Sequence, residues 1–276
     1  MFWGSSPLLA TRAIALGYHR RMKIASWNVN SLKVRLPHLL DWLASARPDV
    51  VALQEIKLQD ADFPHEALAQ AGYRVLVNGQ KTYNGVALLS RSEGIDPVLH
   101  IPNFDDPQRR VLAATIGDLR IVNLYVVNGQ EVGSEKYAYK LAWLAALRDW
   151  LAEQIRIYPN LVVLGDFNIA PDDRDVHDPA AWHEQILCST AERQALQSLL
   201  HLGMHDSYRL LHEAGGVYSW WDYRQGAFRR NIGLRIDLVL ISSALRTRLL
   251  AAGIDKAPRK LERPSDHAPA WVEMSP

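Results

Sequence analysis

A single domain of mixed α and β structure is what this sequence predicts, and three observations predict it. Segments with apolar residues at helical spacing alternate with short, wholly apolar runs of strand length. No repeat, linker or low-complexity tract interrupts the chain after residue 22. Hydrophobic residues make up 48% of the 276, enough for one sizeable core.

Composition sets further bounds. Lys and Arg total 31 against 30 Asp and Glu, so bulk charge does not announce a nucleic-acid binder, and local patches must do that work. The single cysteine, Cys188, excludes an intrachain disulfide and fits a reducing compartment. No apolar run reaches the length of about 18 residues that spans a bilayer, and no membrane partner is expected. Residues 1–21 carry Arg12, Arg20 and Arg21 with no acidic residue, and Thr11-Arg12 interrupts their short apolar patch. That pattern is poor for a secretory signal, and a dispensable extension is expected before a single domain over 22–276.

The elements follow in order. Lys23–Val29 reads as a strand, and Leu36, Leu39, Leu40 and Leu43 give 34–46 a helical stripe that ends before Pro48. Strands are expected at 50–53, 73–77, 86–90 and 111–116, the last paired with 120–126 around Gly117-Asp118. The longest helix is expected over 137–157, with Leu141, Leu144, Leu147 and Leu151 on one stripe. Strand 161–164, a helix near 191–202, strand 236–241 and a closing strand at 270–273 complete the chain.

Polar residues recur where these strands end. Asn28, Gln54-Glu55, Asp166, Asn168 and Asp266-His267 all border apolar runs, Asp237 lies between Ile236 and Leu238, and Asn123 and Tyr125 share one face of their strand. A carboxylate in such a place is costly unless a metal, a cation or a hydrogen bond compensates it. Singly, each has a structural reading: a bridge, a cap, a held loop. So many strand-end sites in one chain make independent explanations improbable together.

These residues carry a resemblance. Ser26-Trp27-Asn28-Val29-Asn30, Leu53-Gln54-Glu55-Ile56-Lys57, Tyr83-Asn84-Gly85, Gly165-Asp166-Phe167-Asn168, Leu234-Arg235-Ile236-Asp237 and Ser265-Asp266-His267 occur in the order found in the exonuclease III family of magnesium-dependent DNA repair enzymes. The likeness runs from Met22 to about Trp271. It implies an α+β fold, a four-layered sandwich of two packed mixed β-sheets flanked by helices, with the site at one rim. It also implies a monomer in a bacterial-type cytoplasm, associated with the nucleoid.

Phosphodiester hydrolysis needs a nucleophilic water, a cation for the growing charge, and donors to the phosphoryl oxygens. Glu55 and Asp266 are hard oxygen ligands for Mg²⁺, with Asn28 adding a neutral oxygen and Mn²⁺ the expected substitute. Asp166 and Asn168 offer a possible second metal site. Otherwise Asp166 orients and deprotonates the water, Asn168 donates to the transition-state oxygens, His267 binds the phosphate, and Asp237 fixes its tautomer. Tyr125 is suited to a phosphate oxygen or the leaving group. Whether Asp166 or His267 is the base stays open. No Gly-x-Ser-x-Gly elbow exists to make Ser265 a nucleophile.

Contacts to duplex DNA have their own signals. Between Trp220 and Arg235 lie Arg224, Arg229, Arg230 and Arg235 against a single Asp, interleaved with Trp221, Tyr223 and Phe228. Either tryptophan has an alternative reading as core. Arg109-Arg110, Tyr83-Asn84 and the Arg259-Lys260-Arg263 cluster are further expected contacts. Val126-Val127 stands where the family often has a Pro before Asn-Gly, and bulky Leu187 borders the expected pocket. Those departures leave the balance among abasic-site incision, 3′-exonuclease and 3′-phosphatase activity open. The competing readings are cleavage of phospholipid or phosphoinositide head groups and a catalytically silent DNA-damage binder.

Overall fold

The computed structural model describes residues 21–276. Apart from Arg21, the expected N-terminal extension lies outside them.

β1 (Met22–Asn28) leads through α1 (Leu32–Ala46) to β2 (Val50–Gln54), which runs parallel to it. A short α2 (His65–Gln70) precedes the antiparallel β3 (Arg74–Asn78) and β4 (Val86–Ser90). Next come β5 (Gly94–Val98), β6 (Val111–Ile116) and β7 (Leu119–Tyr125). The long α3 (Glu135–Ile157) then crosses over to β8 (Leu161–Asp166), parallel to β7. After α4 (Pro179–Trp182) and α5 (Thr190–Leu200) follow β9 (Met204–Asp206), α6 (Ser207–Leu211) and α7 (Ala227–Arg230). β10 (Asp237–Ser242), β11 (Leu249–Ile254) and β12 (Ala270–Met274) close the chain.

Two six-stranded sheets result, ordered β11-β12-β1-β2-β4-β3 and β5-β6-β7-β8-β10-β9. Their inner faces pack Ile24, Val50, Ala52 and Leu88 against Ile121, Val162, Leu164 and Val239. The outer face of the first sheet, through Ala25, Trp27 and Leu53, meets Leu39 and Leu43 of α1. The outer face of the second, through Val122 and Val163, meets Trp143, Leu147 and Leu151 of α3 and Leu196 of α5. Helix, sheet, sheet, helix is the four-layered arrangement expected.

Most strand expectations hold to within a residue or two. β5, β9 and β11 were not expected. All three are edge strands, and β5 keeps three exposed residues and a proline, so none shows a buried apolar run. Asn123, grouped above with the strand-end polar residues, is a tie between the sheets. Its Oδ1 accepts from Gln54 Nε2 at 2.8 Å, and its Nδ2 donates to the Leu53 and Ala87 carbonyls.

The topology also gathers the rim. Parallel β1 and β2 end together at Asn28 and Gln54, and β7 and β8 end together at Tyr125 and Asp166. Antiparallel β10 begins opposite the end of β8, so Asp237 pairs with Asp166. His267 lies three residues before β12, whose first residue pairs with Ser26.

Candidate active site

At this rim Asp166, Asp237 and His267 are all buried. His267 Nδ1 lies 2.9 Å from Asp237 Oδ2, and its Nε2 lies 3.7 Å from Asp166 Oδ2. The Ser219 hydroxyl accepts from the Asp237 N–H at 3.0 Å and anchors the start of β10. Burial alone would lower the His267 pKa, but the Asp237 and Asp166 carboxylates more than offset it and raise it to about 10. At neutral pH the ring is therefore a cation with a proton on each nitrogen, and Nδ1–H donates to Asp237.

Asp166 is pulled two ways. Burial raises its pKa, the His267 cation lowers it, and the Asp237 carboxylate raises it again, leaving it at about 7. Its Oδ1 accepts the Asn168 N–H at 3.0 Å and its Oδ2 accepts Asn28 Nδ2 at 2.9 Å. Tyr125 sits beside Glu55 and Asp166. Burial first, and those two carboxylates next, push its pKa well above 10, so it stays protonated. The Arg110 guanidinium covers its ring at 4.6 Å.

Glu55 follows β2 with φ 50°, and Asn168 follows β8 with φ 49°, left-handed conformations that non-glycine residues hold only under constraint. Glu55, Asp166 and His267 each offer a ligand atom within 4.8 Å of the others, the one such group among the described residues. With His267 protonated, the usable ligands there are carboxylate oxygens. Glu55 Oε2 is 2.9 Å from Lys57 Nζ, which also donates to Asn30 Oδ1 at 2.6 Å. Asn30 Nδ2 donates in turn to Asp266 Oδ1 at 2.9 Å, and Trp220 Nε1 to Asp266 Oδ2 at 3.0 Å. Burial would raise the Asp266 pKa, but His267, Asn30 and Trp220 hold it below the usual carboxylate value. The rim thus carries more carboxylates, Glu55, Asp166, Asp237 and Asp266, than the His267 imidazolium and the Lys57 ammonium can balance. Hard oxygen donors with surplus negative charge fit a divalent cation.

Two expected ligands present themselves differently. Asn28 turns its Nδ2, not its oxygen, toward Glu55 and Asp166, at 2.8 and 2.9 Å, because Oδ1 accepts the Asn30 N–H. Asn168 Oδ1 is likewise taken up, by Asn128 Nδ2 at 3.1 Å, while its own Nδ2 reaches the Val126 carbonyl.

The expected DNA contacts divide. Tyr83, 69% exposed, lines a cavity of about 730 Å³ with Asn84, Arg110, Asn128 and Lys136. Arg109 is exposed beside it. Trp220 and Arg224 line a second cavity of about 310 Å³, and Arg229 is exposed on α7. Arg224 is already paired with Asp222 at 2.7 Å. Trp221 is fully buried and belongs to the core, whereas Trp220 is half-buried.

Arg235 corrects an expectation. It is 1% exposed, with Nε and Nη2 at 2.6 and 3.1 Å from the Asp175 carboxylate and Nη2 at 2.7 Å from Asp206. No DNA phosphate reaches a guanidinium so enclosed. Arg259 is also buried, stacked 4.9 Å over Phe228 and donating to the Ser265 carbonyl. Asn30 and Lys57 lie within the motifs that carry the resemblance, but neither borders an apolar run in a way that marks it as part of the site. Ser219 gives no signal in the sequence, because only folding sets its hydroxyl against β10.

Residues 25–267 match the Endonuclease/Exonuclease/phosphatase family. The chain belongs to that family. It is 37% identical to exodeoxyribonuclease III of Haemophilus influenzae, over 92% of this chain and all of that one. A 3′ phosphatase from Neisseria, solved with a product DNA hairpin, superposes with TM-score 0.91 at 49% identity, covering 92% of this chain and 99% of that one. An AP endonuclease from Archaeoglobus fulgidus gives 0.89 at 35% identity, over 92% and 99%. The matched residues, 25–267, include every rim residue from Asn28 to His267.

Proposed function

We propose that this protein is a DNA repair nuclease that hydrolyses phosphoesters in duplex DNA, at abasic sites and blocked 3′ ends, with Mg²⁺. The observation that carries the reading is the Asp166–His267–Asp237 arrangement beside Glu55. A carboxyl near pKa 7 and an imidazolium near 10 stand 3.7 Å apart on one buried rim. Glu55 and Asp266 would hold the metal, displacing Lys57 from Glu55, and Asp166 and Asn168 border a second position. Mn²⁺ suits the same oxygens. The bound cation supplies charge neutralisation of the phosphoryl oxygens.

The remaining roles follow from the pKa order. Asp166, near neutrality, takes the proton of the attacking water, whereas His267, already protonated, donates from Nε2 to the phosphate. Asp237 holds its other nitrogen. Tyr125, kept protonated, donates toward the leaving oxygen. Asn168 keeps one amide proton free of its bond to Val126 for the phosphoryl group. Tyr83, Arg109 and Trp220 face the strand, and Arg110, 8% exposed and bonded to Gln108 and the Tyr125 carbonyl, forms part of the cavity wall beside Tyr83. The likeness to a 3′ phosphatase that binds a DNA hairpin and to an AP endonuclease supports this substrate class.

Abasic duplex, nicked duplex with a 3′-phosphate, and a phosphoinositide, each with Mg²⁺ and with EDTA, test the proposal. Metal-dependent cleavage of the DNA substrates is expected. Cleavage of the lipid alone, or DNA binding with no cleavage, would overturn it. Asp266→Ala and His267→Ala should each lower kcat by about 10²–10⁴ with DNA affinity retained.

A further inference from the structure

Behind the rim lies an ion pair with no solvent exposure on either partner, Lys140 of α3 and Glu192 of α5. Lys140 Nζ donates to the Asn168 carbonyl at 2.7 Å, to the Asn128 carbonyl at 3.1 Å and to Glu192 Oε1. An ammonium has three protons, and all are used. Glu192 Oε1 also accepts the Leu187 N–H at 3.1 Å, and Oε2 accepts the Ser189 N–H at 3.1 Å and its hydroxyl at 2.7 Å.

One pair therefore joins the loop leaving β7, the loop leaving β8 and the turn before α5. The last two each hold a non-glycine residue in the left-handed region, Asn168 at φ 49° and Leu187 at φ 72°. Such residues persist only where their surroundings over-determine them. The loops also meet directly, Ala170 N–H to Leu187 carbonyl at 2.8 Å, and Asn128 Nδ2 holds Asn168 Oδ1. Lys140 thus grips the backbone of both members of the Asn128–Asn168 pair. A buried ion pair adds little to stability that packed apolar side chains could not. What those side chains cannot supply is a donor for two loop carbonyls and acceptors for two loop N–H groups.

We propose that Lys140 and Glu192 are positioning residues, which act through the Asn128 and Asn168 carbonyls to aim the Asn168 amide at the phosphoryl group. The inference rests on the role given to Asn168 above. Its test is a cycle of kcat, KM and Tm on 3′-phosphate duplex, using wild type, Lys140→Met/Glu192→Leu, Asn168→Ala and the triple variant. The apolar pair should lower kcat by about 10–100-fold, as expected when a reacting group is misplaced, with KM near wild type. The loop carbonyls and N–H groups it leaves unpaired should lower Tm in both backgrounds alike. In the Asn168→Ala background the same replacement should cost almost nothing more in kcat. An unchanged kcat, or an equal loss of kcat in both backgrounds, overturns the inference. Asn168→Ala at the wild-type rate would instead remove the role of Asn168, and this inference with it. Should the apolar pair fail to fold, Lys140→Arg/Glu192→Asp keeps both charges, shifts their head groups and completes the same cycle.

Discussion

Arg235→Met separates a structural arginine from a DNA-binding one. The side chain is 1% exposed and makes three short bonds, two to Asp175 and one to Asp206. The two carboxylates outweigh the burial that would lower its pKa, so the guanidinium stays charged. Methionine fills similar space but leaves Asp206 without that cation and Asp175 with only Arg209. Removing one partner of a buried pair costs about 3–5 kcal/mol. For a domain of this size each kcal/mol moves Tm by about 2–4 °C, so a fall of roughly 6–20 °C is expected. Thermal unfolding measures it, and DNA binding against salt at a temperature where the variant is folded supplies the control. A variant with wild-type Tm but a salt slope smaller by about one unit would refute the reasoning, because that is the signature of a lost phosphate contact.

The pH profile of kcat/KM should be bell-shaped, rising as Asp166 loses its proton near 7 and falling as His267 loses its own near 10. Asp237→Asn removes the largest cause raising the His267 pKa, so its alkaline limb should move down; an unmoved limb would contradict the assignment. Trp221→Ala, which empties a fully buried site, should destabilise by about 3–5 kcal/mol, whereas Trp220→Ala should leave Tm nearly unchanged and weaken binding to damaged DNA. Both are read by denaturation and by gel-shift titration, and unfolding of the Trp220 variant would make it core. A chain starting at Met22 should keep its activity and solubility, and loss of either in a cleavage assay or by sedimentation would assign a role to residues 1–21.

Much of the fold was legible before any coordinate. Helical stripes such as Leu36–Leu43 and apolar runs such as 161–164 mark buried surface directly, since burial is what both patterns record. Polar residues at strand ends were conspicuous for the same reason, because charge beside apolar strands needs a partner. Edge strands β5, β9 and β11 escaped notice, since half-exposed strands are not required to be apolar. Charge alone misassigned Arg235 and Arg259, because a sequence shows that a guanidinium is present and not what encloses it.

The apolar runs already marked Asn28, Glu55, Asp166, Asp237 and His267 as polar residues at strand ends or within strands, and the resemblance to the exonuclease III family implied that they share one rim. Only the tertiary structure supplied the distances and burial on which the proposed division of work rests. Antiparallel pairing of β8 with β10 sets Asp237 opposite Asp166. The segment before β12 of the other sheet brings His267 to 2.9 Å from Asp237 and 3.7 Å from Asp166, which leaves a carboxyl near pKa 7 beside an imidazolium near 10. Electrostatic shifts depend on separation and burial, and neither is a property of residues taken in linear order.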